Sequence, residues 1–171
     1  MRRQTFFASA LCCVVTLLHS CSSINCPIQT AVSINYALRQ PTDRYGENRQ
    51  DTLATGDTLW IWTQRSDGTD TLLLNRGIRL TTFSLPVSSS HPEDMLVFYV
   101  ADSLGYSLDT LWIKKEDQPH FENVDCQAIF FHTLTAVRST HNRIDSVVIN
   151  TADVTFDTEP THLYLFLHEK Q

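Results

Sequence analysis

The chain has 171 residues, 42% of them hydrophobic, and 13 Lys and Arg against 19 Asp and Glu for a formal charge of −6. Nucleic-acid binding depends on basic side chains displacing condensed counterions, and attraction to anionic lipid needs the same charge, so this balance argues against both as partners. The length suits one domain with a real core and is too short for two ordinary ones.

In chain order, Met1-Arg2-Arg3-Gln4-Thr5 is a basic start, and Phe6 to Leu18 is an apolar run broken only by Ser9 and Thr16. That is the order of a secretory signal, expected over residues 1–20. A permanent transmembrane helix needs about 20 apolar residues, more than this run supplies, and no basic stop-transfer cluster follows. Leu18-His19-Ser20-Cys21 resembles a bacterial lipobox, with an aliphatic residue three before the cysteine and a small one just before it; His19 departs from the pattern. Cys21 is therefore the expected site of lipid attachment, with residues 21–26 as a short tether. Two or three acyl chains hold a protein to a bilayer where one is marginal, since each buried methylene contributes ~0.8 kcal/mol. Cleavage before Cys21 takes two arginines and no acid, so the mature charge becomes −8, from 11 basic and 19 acidic residues.

The expected mature domain, residues 27–171, reads as strand after strand. Val32, Ile34, Tyr36 and Leu38 alternate with Ala31, Ser33, Asn35 and Ala37, the period-two pattern of a half-buried strand. Further β-rich runs are 57–64, 69–74, 78–85, 95–101, 107–114, 126–137, 144–150 and 162–168. Turn residues separate them, among them Asp67-Gly68, Leu104-Gly105, His91-Pro92-Glu93-Asp94 and Asp117-Gln118-Pro119. About nine short strands with no capped helical stretch predict an all-β, antiparallel sandwich of immunoglobulin-like or similar type. Two hairpins are expected, one turning at Asp67-Gly68 and one around Leu104-Gly105. The polar stretch Arg39–Asp51 is the longest expected loop, and its three arginines among three acids suit a solvated surface better than an anion grip.

An Asp-Thr-Leu entry recurs at Asp57, Asp70 and Asp109, with a looser copy at Asp145. A rank of carboxylates for calcium is one reading. The plainer one is that Asp ends turns and Thr favours strand starts, and it fits better because no dense, glycine-punctuated acidic loop is present. No nucleophile elbow, zinc helix, Cys-x-x-Cys or phosphate loop occurs, so neither a cofactor nor a metal is expected. Of the six histidines beyond residue 20, none has metal-ligand spacing. His132, in phase with Cys126, Phe130 and Leu134, reads as a hydrogen-bonded core histidine before a ligand or general base. Trp60, Trp62 and Trp112, with Tyr99 and Tyr106, are candidate ligand-binding aromatics if exposed as a flat platform, and core or rim if not.

Cysteine subtraction gives a disulfide. Cys12 and Cys13 fall in the signal and Cys21 is taken by lipid, so Cys26 and Cys126 remain in an oxidising compartment with one possible pairing.

Asn25-Cys26-Pro27, Leu72-Leu73-Leu74-Asn75-Arg76-Gly77, Ser84-Leu85-Pro86, the His91-Pro92-Glu93-Asp94 turn, Lys114-Lys115-Glu116-Asp117, Val124-Asp125-Cys126 and Ile144-Asp145-Ser146-Val147 together resemble an uncharacterised lipoprotein family of gut and oral Bacteroidota that carries domain of unknown function 6452. The resemblance implies an envelope location and a β-sandwich, and supplies no activity or catalytic residue. Ser22-Ser23-Ile24-Asn25 lacks the acids that such surface-exported lipoproteins tend to carry there, which favours the periplasmic face. The expectation is a non-enzymatic, lipid-anchored envelope module whose partner is an envelope protein or glycan. The alternatives are a surface carbohydrate-binding lipoprotein, marked by an exposed coplanar aromatic pair, and a small hydrolase with a dispersed site, marked by His132 or His120 beside a Ser and an Asp.

Overall fold

A computed structural model describes Cys26 and residues 31–39, 50–64 and 68–168. The expected signal peptide, Cys21 and most of the tether lie outside the described residues, as do residues 40–49 of the long polar loop. Ten strands occur among the described residues: β1 (Ser33–Arg39), β2 (Thr58–Gln64), β3 (Asp70–Gly77), β4 (Thr82–Pro86), β5 (Glu93–Ala101), β6 (Tyr106–His120), β7 (Ile129–Ser139), β8 (Ile144–Ile149), β9 (Asp153–Val154) and β10 (Leu163–Leu167). None of these residues forms a helix long and apolar enough to cross a membrane.

The strands make a sandwich of two sheets, one in the order β4-β1-β10-β8 and one in the order β3-β2-β5-β6-β7-β9. Alternation decides which residues meet between them. On β1, Ile34, Tyr36 and Leu38 point inward, and on β5 Leu96, Phe98 and Val100 do the same. Ile61, Leu111, Ile113, Leu134, Leu163 and Leu165 complete a single core, whose burial supplies the main drive for folding. Tyr36 stacks on Phe83 with centroids 4.8 Å apart.

Both expected hairpins form. β2 pairs antiparallel with β3, and Gly68 has the positive φ (82°) the turn between them needs, while Asp67 lies outside the described residues. β5 pairs with β6 over nine residue pairs, and the Asp102 carboxylate accepts from the Leu104 and Gly105 amides at 2.7 and 3.0 Å to close the turn.

Four details differ from the expectation. Asp117-Gln118-Pro119 is strand, because β6 runs on to His120 opposite Ile129. β5 begins at Glu93 opposite Lys114, so beyond that point β6 has no β5 neighbour, and proline is tolerated on such an edge. The strand expected from Ile78 starts only at Thr82, after Arg76 and Arg79 turn the chain with φ of 54° and 51°. Cys126 precedes β7, which starts at Ile129. One pair in the sandwich is parallel: β1 lies beside β10, Tyr36 opposite Leu163.

Candidate functional site

The outward face of the larger sheet is where the sequence's aromatics gather. Because β2, β5 and β6 alternate, the residues between their core positions all point away from the core. The register sets Trp60 beside Tyr99 and Tyr99 beside Leu108, Leu72 beside Trp62 and Trp62 beside Val97, and Met95 beside Trp112. Trp60 meets Tyr99 edge to face, with centroids 5.4 Å apart and planes at 71°; Trp62 tilts against the same ring at 6.3 Å. Tyr99 stacks on Tyr106 at 5.2 Å and 21°. Trp60, Trp62, Tyr99 and Trp112 are half-buried by one another and their neighbours, whereas Leu72, Leu108 and Tyr106 are exposed, Tyr106 to 67%. The outward face of an antiparallel sheet is ordinarily polar. A contiguous apolar one marks a contact surface.

Trp112 stands apart from the Trp60–Tyr99 group. The Arg138 guanidinium lies 4.0 Å above its ring and also donates to the Glu93 carboxylate at 2.9 Å, so one face of the indole is already occupied. The three tryptophans are thus neither core nor a flat platform. They form a faceted aromatic surface with a charged pair at one margin.

Residues 58–167 match the model of a family of unknown function, DUF6452. The chain belongs to this family. The match opens on the first residue of β2 and closes on the last of β10, so the DUF6452 segment contains the whole aromatic face and leaves β1 outside. No curated protein and no solved structure matches the chain.

The DUF6452 segment also holds a buried ionic cluster that the sequence did not announce. Lys115, with its side chain 0% exposed, donates to the His91 carbonyl and lies 3.6 Å from Asp94 and 3.8 Å from Asp117. Asp117 in turn meets His132 Nδ1 at 2.7 Å. The reading of His132 as a hydrogen-bonded core histidine holds, although Phe130, expected on the same face, is exposed. A cleft of about 170 Å³ opens beside the cluster, lined by Tyr36, Thr63, Ser88, Asp94, Leu96 and Ile113 among others. Burial pushes the Asp94 carboxyl up, opposed by the Lys115 ammonium, and burial with the Asp94 charge pushes the Tyr36 phenol up. Ser88 gives its backbone N–H to Asp94 at 3.2 Å, and neither His132 nor His120 is among the residues lining the cleft. His120 instead stacks on Phe131 and pairs with Glu122 at 3.0 Å.

The repeated aspartates part company. Asp109 is buried and accepts from Thr140 Oγ1 at 2.8 Å and from the amides of Asn142, Arg143 and Ile144 at 2.8, 2.6 and 3.0 Å. Asp57, also buried, pairs with Arg143 at 3.2 Å. Asp70 and Asp145 are exposed. Among the described residues no group of three or more His, Cys, Asp or Glu is placed to hold a metal ion. Arg39, expected to open the long polar loop, is instead the last residue of β1 and lies 4.6 Å over the Tyr164 ring. Cys26 and Cys126 are bonded, with Cα atoms 5.5 Å apart.

Proposed function

We propose that the protein is a non-enzymatic binding module of the cell envelope, held to a membrane by lipid on Cys21, which engages an envelope protein through the outward face of its larger sheet. The observation that carries the reading is the row Leu72, Trp62, Trp60, Tyr99, Tyr106 and Leu108, apolar and aromatic where an antiparallel sheet ordinarily presents polar side chains. Rings set edge to face offer pockets for side chains rather than a plane for a sugar, and aromatic residues dominate the energetics of protein contacts. The acidic balance and the signal-like start support an exported protein that keeps clear of nucleic acid.

A second reading, glycan binding, is favoured by one observation: the near-parallel Tyr99–Tyr106 pair with Tyr106 exposed. Photo-crosslinking from position 106 in intact envelopes separates them. A protein adduct of defined mass that disappears in the Trp60→Ala variant supports the first reading; retention on peptidoglycan or polysaccharide, lost in Tyr106→Ala, supports the second. A well-folded protein that gives neither the adduct nor the retention overturns the face as the site.

A further inference from the structure

β6 is fifteen residues long, so at about 3.3 Å per residue it spans on the order of 50 Å. Its two ends differ. At one end the β5–β6 turn carries Leu104. At the other, the connection from β6 to β7 carries Phe121 and Val124, exposed to 61% and 93%, with Phe130 exposed close behind on β7. Cys126 belongs to that connection, and its disulfide fixes Cys26 there. Cys26 follows Cys21 with four residues between them, a reach of at most roughly 18 Å for a fully extended chain. A bilayer holding a lipid on Cys21 therefore comes within range of this end of the sandwich, and Leu104 lies at the other.

We propose that the Phe121, Val124 and Phe130 tip seats in the interfacial layer of the bilayer that holds the Cys21 lipid, a docking that rests on the lipid-anchor reading. Large apolar side chains at an exposed turn tip gain by leaving water, and the headgroup–acyl boundary accepts them without requiring a spanning segment. Glu122 and Asp125 flank the tip, so zwitterionic headgroups suit it and anionic ones oppose it. The disulfide and short tether hold the tip at the surface, and the orientation that follows stands β6 away from the membrane. Tyr106 and Leu108, at the far end of that strand, then face the envelope space.

The test uses the full lipidated chain, with lipid on Cys21 verified by intact mass, in phosphatidylcholine vesicles carrying bromine on the upper acyl carbons. Val124→Trp and Leu104→Trp each add one indole at an exposed turn, at opposite ends of β6. The emission added by Val124→Trp should shift to the blue on vesicles and be lost on the brominated ones, while that added by Leu104→Trp should stay unshifted and unquenched. Protein that floats with vesicles but shows no quenching at either position overturns the tip docking and leaves the anchor intact. Equal quenching at both overturns it by showing a sandwich lying flat. Unlipidated protein that floats as fully as the lipidated chain would overturn the anchor, and the docking with it.

Discussion

Asn35 and His162 exchange two hydrogen bonds across the parallel pair: the Asn35 amide donates to His162 Nδ1 at 2.9 Å, and the His162 amide donates to the Asn35 carbonyl at 2.9 Å. Nδ1 must be unprotonated to accept, and the ring is fully buried. Burial lowers the His162 pKa. The group therefore contributes stability that is complete above the unfolded value of about 6.5 and is lost as pH falls through the lower folded value, because the unfolded chain binds the proton more readily. Thermal unfolding followed from pH 7 downward should show this loss. His162→Asn, which keeps an acceptor near Nδ1 and does not titrate, should have a lower midpoint at neutral pH and a flatter pH dependence; an unchanged slope would contradict this assignment.

Asp109 ties the β7–β8 turn to β6 through one hydroxyl and three backbone amides. Asp109→Ala would strand buried donors, and should cost about 3–5 kcal/mol in denaturant unfolding. Asp109→Asn retains one oxygen and should fall between that variant and the native chain.

Reducing the Cys26–Cys126 bond frees a loop with a sequence separation of 100 residues. The chain-entropy model gives about 4.7 kcal/mol for such a loop, and measured losses for removed disulfides run at about 2–5. Urea midpoints with and without reductant check this. Thiol labelling of the unfolded, unreduced protein should leave both cysteines unmodified.

Tyr106 is 67% exposed and lies on Tyr99. Tyr106→Ser should shift stability by no more than about 1 kcal/mol, since it removes surface contacts only. The same change should sharply lower partner capture. A large fall in the unfolding midpoint with capture intact would assign the ring a folding role instead.

Replacing Cys21 by Ala should move the protein from the membrane pellet to the soluble fraction. Fractionation in detergent-free buffer reads the result, and unchanged sedimentation would refute lipid attachment at that residue.

The two-sheet architecture was legible because its strands alternate cleanly. On β5 the apolar positions Leu96, Phe98 and Val100 announce their own facing, and Asp67-Gly68 and Leu104-Gly105 punctuate the hairpins. Local signals misled where neighbours decide: Pro119 reads as a turn residue until β5 is seen to begin only at Glu93, opposite Lys114. β9, two residues long, is too short to carry a pattern. The aromatics were visible as candidates, but their outward facing depends on the register of three strands. Lys115 left no trace at all, since a buried ammonium is explained only by Asp94, distant in sequence, and by Asp117 and the His91 carbonyl.

The placement of β1 beside β10 also bears on the order of assembly. These strands, the first and last of the fold, sit at the centre of the smaller sheet, so Tyr36 finds Leu163 only after all the intervening chain is present. The larger sheet is built mostly from sequence-adjacent hairpins, β2 with β3, β5 with β6 and β6 with β7, whose closure costs little entropy. Assembly is accordingly expected to begin in the larger sheet and finish when the last strand slides between β1 and β8. Pulse-labelled hydrogen exchange during refolding should protect the amides of β6 and β7 before those of β10; simultaneous protection would mean that the chain's two ends meet as early as its middle.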